Sequence, residues 1–173
     1  LDDQQAIVIS RNRIVDIGRR QEMLRRYPGH RVLRFEHSVI MPGLVNVHTH
    51  LELPPFRVLH SSFDYTRWVL ELIRFKKRLS RRDYLRSAKE NIRTLIRTGT
   101  TTVGEICSHE VSRALLVQSG LRAIVYHELI SMERRVPRER LSSFLARTTS
   151  LVRDGLSPHS VHTVSEAVLT DIR

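Results

Sequence analysis

The chain has 173 residues, 40% of them hydrophobic and 27% charged, with a formal net charge of +11. That balance fits a globular domain with a real core and excludes a disordered tail. No apolar run approaches the ~20 residues of a membrane span, no leader pattern is read at the start, and a single cysteine, Cys107, excludes an internal disulfide and points to a reducing compartment, the cytoplasm.

The positive charge is almost all arginine. The doublets Arg19-Arg20, Arg25-Arg26, Arg81-Arg82 and Arg134-Arg135 are scattered and alternate with Asp and Glu. This is the pattern of solvated helical faces and not of a nucleic-acid-binding block. A start at Leu1-Asp2-Asp3, without Met, leads to the expectation of a piece of a longer protein.

In chain order, "AIVISRNRIVDIG" (6–18) reads as a β-hairpin broken at Ser10–Arg13. "QEMLRRYPG" is a short helix ended by Pro28-Gly29. "RVLRFEHSVIMPG" is a further extended run, stopped by Pro42-Gly43. A strand of apolar residues follows at Leu44–His48, then helices over Phe63–Lys77 and Tyr84–Thr98. Leu85, Ala88, Ile92, Leu95 and Ile96 form one stripe of the second helix, and Ser80-Arg81-Arg82-Asp83 precedes it as a capping box. "TTTVGEI" (100–106) is a strand, Val111–Ser119 a helix and "LRAIVYHELI" (121–130) a strand. Pro137 opens a helix with Leu141, Leu145, Thr148 and Val152 on its face, and "LSPHS" (156–160) is a short strand. Ser165 caps a last helix, Glu166–Ile172. Gly99, Gly120 and Gly155 each stand between a helix and a strand, as left-handed helix ends do.

Alternation of β and α with apolar strands predicts an α/β fold, a parallel sheet covered by helices. Four such units follow Leu44, half of a closed (β/α)8 TIM-type barrel. The expected organisation is residues 1–40 as part of a small β domain and 41–173 as the first four βα units. A half-barrel would leave the inward faces of Val45, Val103 and Ile124 open, favouring self-association.

"MPGLVNVHTH" (41–50) carries the chemistry. Residues i and i+2 of a strand share a face, so His48 and His50 project together with Thr49 turned away. At the C-terminal end of a barrel strand that face meets the active-site mouth. Two imidazoles there suit one divalent ion, Zn or Fe before Mg or Ca. Two ligands alone predict weak metal binding by this chain, since catalytic zinc sites use three protein ligands. Glu105 and Glu128 end strands and could face the mouth, but each reads equally as a helix-facing or rim acid. Cys107, lacking a general base beside it, reads as packed core. His60, His109, His127 and the face carrying Trp68 read as structural or solvated.

"MPGLVNVHTHLEL" resembles the first barrel strand of the amidohydrolase superfamily, in its chlorohydrolase/cytosine-deaminase-like branch, which includes aminodeoxyfutalosine, S-adenosylhomocysteine and guanine deaminases. "NRIVDIG" is similar to that family's small N-terminal β-sandwich, "LIRTGTTTVGEI" to its second barrel strand, and "GLSPHSVHTVSEAVL" to its "SPHAPYTVS" strand-four motif. The short link from "HTHLEL" to "WVLELI" looks most like the aminodeoxyfutalosine-deaminase members. The resemblance implies His48 and His50 as metal ligands, His159 as a substrate contact, and Glu52 as a substrate contact or a support of the site. His162 stands where the family has Tyr. The remaining ligands and the catalytic acid/base are implied beyond residue 173. The implied activity is metal-dependent hydrolysis of carbon–nitrogen bonds, in particular deamination of a purine- or pyrimidine-like small molecule. Homo-oligomerisation stays open. The rival from another class is a non-catalytic Arg-rich module binding an acidic partner or nucleic acid.

Overall fold

The computed structural model describes residues 5–35, 37–55, 64–132 and 136–172. His60, the Arg134-Arg135 doublet and the expected helix start at Phe63 lie outside the described residues. The chain divides into two compact units, Leu1–Pro42 and Gly43–Arg173.

In the first unit, β1 (Gln5–Ser10) and β2 (Arg13–Arg19) pair antiparallel around a turn in which Arg11 adopts φ 55. Helix α1 (Arg20–Arg26) follows directly, and Val8 on β1 and Met23 on α1 are buried. Asp16 on β2 accepts hydrogen bonds from Arg26 at 2.7 Å and from the Tyr27 hydroxyl at 3.0 Å, which fixes the helix end to the hairpin. The extended run expected at 31–43 forms no strand among the described residues. Its Val32, Leu33, Phe35, Val39 and Ile40 are exposed. An extended segment becomes a strand only when its backbone groups find a partner, and β1 and β2 make a two-stranded sheet with each other.

The second unit is a four-stranded parallel sheet in the order β3 (Leu44–Thr49), β4 (Thr100–Cys107), β5 (Arg122–Leu129), β6 (Val152–Pro158). Helices α2 (Tyr65–Lys76) and α3 (Arg81–Arg97) link β3 to β4, α4 (Ser112–Ser119) links β4 to β5, α5 (Arg138–Leu145) links β5 to β6, and α6 (Glu166–Asp171) follows. This is the first half of a (β/α)8 barrel, as the alternation of elements predicts. The capping box forms: Ser80 Oγ accepts from the Asp83 N–H, and the Asp83 carboxylate accepts from the Ser80 N–H at 2.9 Å. Gly99 and Gly120, at φ 87 and 79, follow α3 and α4 as expected of left-handed helix ends.

Gly155 does not serve as a third such stop. Helix α5 already ends at Leu145, and Gly155 lies inside β6 together with Val152, which is a buried strand residue and not part of a helix face. A Cβ at Gly155 would stand 3.0 Å from the Tyr126 ring, so this glycine answers a close cross-strand approach. The α3 stripe is also rotated from the expected one. Tyr84, Ser87, Ala88 and Ile92 are buried, whereas Leu85 and Ile96 are 45% and 46% exposed. The i, i+4 row Tyr84–Ala88–Ile92 turns inward because the Tyr84 ring stacks on His109.

The core lies on the helix-covered face, where Ile92, Val103, Cys107, Leu116, Ala123, Val125 and Val152 cluster. Val103 is therefore not on the open face as expected. It pairs with Ala123 in register and is buried. Val45 and Ile124 do remain accessible, at 61% and 39%.

Gly104 controls how closely β3 approaches β4. A Cβ there would overlap the Val47 carbonyl oxygen, a backbone atom that no side-chain rotation can move. Gly104→Ala is expected to cost at least about 2 kcal/mol, measured by urea unfolding. An unchanged midpoint would mean that β3 yields without cost. No helix among the described residues is long and apolar enough to cross a membrane.

Candidate functional site

Because β3 to β6 are parallel, their C-terminal ends share one edge of the sheet. His50 directly follows β3 and His159 directly follows β6. Thr49 pairs with Glu105, and His48 and His50 flank it. Their rings meet edge to face with centroids 5.2 Å apart. The register shift between Asn46 and Thr49 frees this strand end from strict pairing, and the His48 N–H turns back onto Asn46 Oδ1.

The His50 ring reaches solvent, yet its flanks are packed closely enough that desolvation holds its pKa below the usual imidazole value. The charges of His48, Lys76 and His159 act in the same direction, and Glu128 opposes them. At neutral pH His50 is thus the neutral imidazole that metal ligation requires. His159 lies within electrostatic range of His50, although β3 and β6 are the two edges of the sheet. The exposed His159 is steered by a 2.8 Å hydrogen bond between its Nδ1 and Thr163 Oγ1, and its N–H donates to the Leu129 carbonyl. His162, the departure from the family motif, is exposed.

Glu52 is not placed to touch a substrate. It is 2% exposed, and both carboxylate oxygens are occupied. Oε1 accepts from the N–H groups of Val111 and Ser112 at 2.8 and 3.0 Å, from Ser112 Oγ and from the Cys107 thiol. Oε2 accepts from the N–H groups of Ser108 and His109 at 3.1 and 2.6 Å. Burial alone would raise its pKa, but the converging N–H donors outweigh it and hold the carboxyl below the ordinary value. An anion two residues after His50 is thereby locked to the loop that leads from β4 into α4.

Glu105 also faces away from the mouth. It is fully buried, accepts from the Leu51 N–H at 2.9 Å, and leaves Oε1 without a hydrogen-bond partner. Burial pushes its carboxyl from 4.5 to about 8. A raised folded-state pKa means that the folded protein keeps a proton which the unfolded chain has lost. Stability is therefore full below the ordinary value and falls as pH rises through the window between 4.5 and about 8. Glu105→Gln is expected to remove a slope approaching about 1.4 kcal/mol per pH unit there. Denaturation at several pH values checks this, and an identical slope in the variant would contradict it.

Glu128, also at a strand end, does reach the histidine edge. It accepts from Ser108 Oγ at 2.6 Å, and its charge acts on both His50 and His109. Cys107 is buried, and burial pushes its thiol pKa up, so it is inert core as expected.

His127 is buried on the helix side of the sheet in a network that sequence reasoning did not find. Its Nδ1 meets Glu110 at 2.6 Å and its Nε2 meets Asp154 at 2.9 Å, while Phe144 stacks on the ring. Arg113 clamps Asp154 with two bonds of 2.7 Å and also bonds the Arg147 carbonyl. Burial would lower the His127 pKa, but the two carboxylates outweigh it and raise it. The ligand atoms of Cys107, Glu110 and His127 gather within 4.8 Å. Both His127 nitrogens are already engaged by carboxylates, so the histidine pair at the strand end is the better metal candidate.

The chain is similar to several known proteins. The adenosine deaminase of Helicobacter pylori is 30% identical over 148 residues, which cover 83% of this chain and 34% of that protein. Among solved structures, the H. pylori aminofutalosine deaminase in complex with methylthio-coformycin matches with a TM-score of 0.80 at 21% identity, over 98% of this chain and 42% of that one. A Xanthomonas campestris adenosine deaminase with bound zinc matches with a TM-score of 0.66 at 24% identity, over 77% and 33%. The chain thus spans about a third of the length of the curated relative. Residues 39–173, the whole parallel sheet and its helices, match the amidohydrolase family, and the chain belongs to that family.

Proposed function

We propose that this chain supplies the metal-binding and substrate-facing first half of a hydrolytic deaminase acting on a purine-type nucleoside or related small molecule. The observation that carries the reading is the pair of imidazoles, 5.2 Å apart, at the C-terminal end of the first barrel strand. His48 and His50 would hold one divalent ion, zinc before iron. Their donor set is that of a borderline-soft metal, and His50 is held neutral. Held there, such an ion would supply the Lewis acidity for water activation near neutral pH.

The chain's own residues bind and orient. His159, steered by Thr163, would face the substrate from the end of β6, the opposite edge of the sheet. Glu52 acts as a positioning residue, holding the segment after His50 against the loop into α4. The proton-shuttling group and further ligands would come from the rest of the barrel. In this reading residues 1–40 contribute to a composite β-sandwich, residues 41–173 form the first four βα units, and the protein works in the cytoplasm. The Arg-rich module is the weaker reading. Arg26, Arg67, Arg86 and Arg113 are spent on local acids.

The test is ammonia release from adenosine, 5'-substituted adenosines and free aminopurines by the protein that carries this chain with its barrel complete. Metal-dependent release from at least one of them is expected. A metal-loaded protein that releases ammonia from none would refute the deaminase reading.

A further inference from the structure

The chain leaves the parallel sheet after Thr49, and its backbone groups then need partners that strand pairing does not supply. The turn His50–Leu53 closes on itself with one bond, from the Leu53 N–H to the His50 carbonyl at 3.1 Å. Side chains distant in sequence hold it further. Glu105 accepts from the Leu51 N–H at 2.9 Å. Asn91 on α3 donates from its amide nitrogen to the Leu51 carbonyl at 2.8 Å and to the Leu53 carbonyl at 3.1 Å. An Asn amide nitrogen carries two N–H donors, and both are used here. The flipped amide would set its oxygen against two carbonyl oxygens, so the partners fix its orientation.

Packing does not account for an asparagine at this position. Helix α3 buries Tyr84, Ser87, Ala88 and Ile92, and Asn91 stands half-buried one turn after Ser87. Helix interiors disfavour Asn, and burying an amide costs free energy unless it is bonded. The apolar side of the turn is anchored without it. Leu51 is buried in the main core, and Leu53 packs on the cluster of Tyr84, Ala88 and Val111. What Asn91 adds is a fixed spacing between two carbonyls that bracket Glu52, directly after His50. The peptide unit that follows His50 is thereby part of a braced turn, and that backbone aims the imidazole.

We propose that Asn91 is a positioning residue for His50: its two hydrogen bonds fix the turn that follows and present the imidazole ready oriented for a metal ion. This rests on reading His48 and His50 as the metal ligands. Asn91 acts through the backbone and not on the ring. Its contribution is pre-organisation, because a loose turn must be ordered at the expense of metal binding.

The test uses the barrel-complete protein and three variants. Asn91→Ala removes the donors and replaces Asn with the best helix former, so α3 itself is not weakened. Asn91→Asp keeps the size of the side chain and replaces its donors with acceptors. Leu141→Ala opens a cavity in the separate cluster of Leu129, Val164 and Val168, and serves as a destabilised control remote from the turn. Co(II) is titrated into each protein and followed by its visible absorption. Backbone hydrogen exchange over residues 48–53 is measured without metal. Both Asn91 variants are expected to bind Co(II) about tenfold more weakly or worse, as when groups that support a ligand are removed, and to exchange faster over 48–53. Leu141→Ala should keep the wild-type affinity and spectrum. A wild-type protein that binds no Co(II) would defeat the ligand reading, and hydrogen exchange alone then decides whether Asn91 fixes the turn. Undiminished Co(II) affinity or unchanged exchange in both Asn91 variants, or an equal loss of affinity in Leu141→Ala, would overturn the proposal.

Discussion

Glu52→Ala is expected to lower the stability of the fold by at least about 4 kcal/mol, a large share of the 5–15 kcal/mol typical of a domain. The carboxylate accepts from four backbone N–H groups, of Ser108, His109, Val111 and Ser112, and from two side chains. Alanine leaves these donors facing a void, each costing about 1–3 kcal/mol where water cannot reach it. Water entering the cavity would recover part of that. Glu52→Gln keeps one acceptor oxygen but turns an NH2 group toward other donors, so it should fall between wild type and alanine. Urea unfolding followed by circular dichroism measures both. A loss under about 1 kcal/mol for the alanine variant would show that the loop into α4 holds itself without the anion.

The second large effect is on metal and turnover. In the protein with its barrel complete, His48→Ala or His50→Ala is expected to weaken metal binding at least about 100-fold, since even residues that only support a ligand cost 10–100-fold. Turnover should fall in step. The fold should persist in both variants, because the two imidazoles are exposed and no apolar core rests on them. Metal content by mass spectrometry and ammonia release, measured together, check this. A variant that kept its metal but lost activity would instead make that histidine a substrate contact.

Much of this structure is local in origin and was legible. The capping box at Ser80 and Asp83, the left-handed Gly99 and Gly120, and the parallel sheet follow from spacing and from turn chemistry. The His-x-His strand end was legible because a period of two puts both rings on one face. What escaped depends on pairs distant in sequence. Gly155 looks like a helix stop until Tyr126 is seen across from it. Glu52 reads equally as a substrate contact or a support of the site until the N–H groups nearly sixty residues later are seen to close around it. The Glu110–His127–Asp154–Arg113 network draws on separate elements with no shared spacing, so no sequence signal marks it.

The position of the metal decides whether His48 and His50 are its ligands. Anomalous X-ray diffraction at the zinc edge, on crystals of the barrel-complete protein grown with zinc, locates the ion directly. The expected result is one strong peak at about 2.0–2.1 Å from a ring nitrogen of both His48 and His50. A peak at the Cys107–Glu110–His127 cluster instead, or none near the two strand-end histidines in an active enzyme, would contradict it.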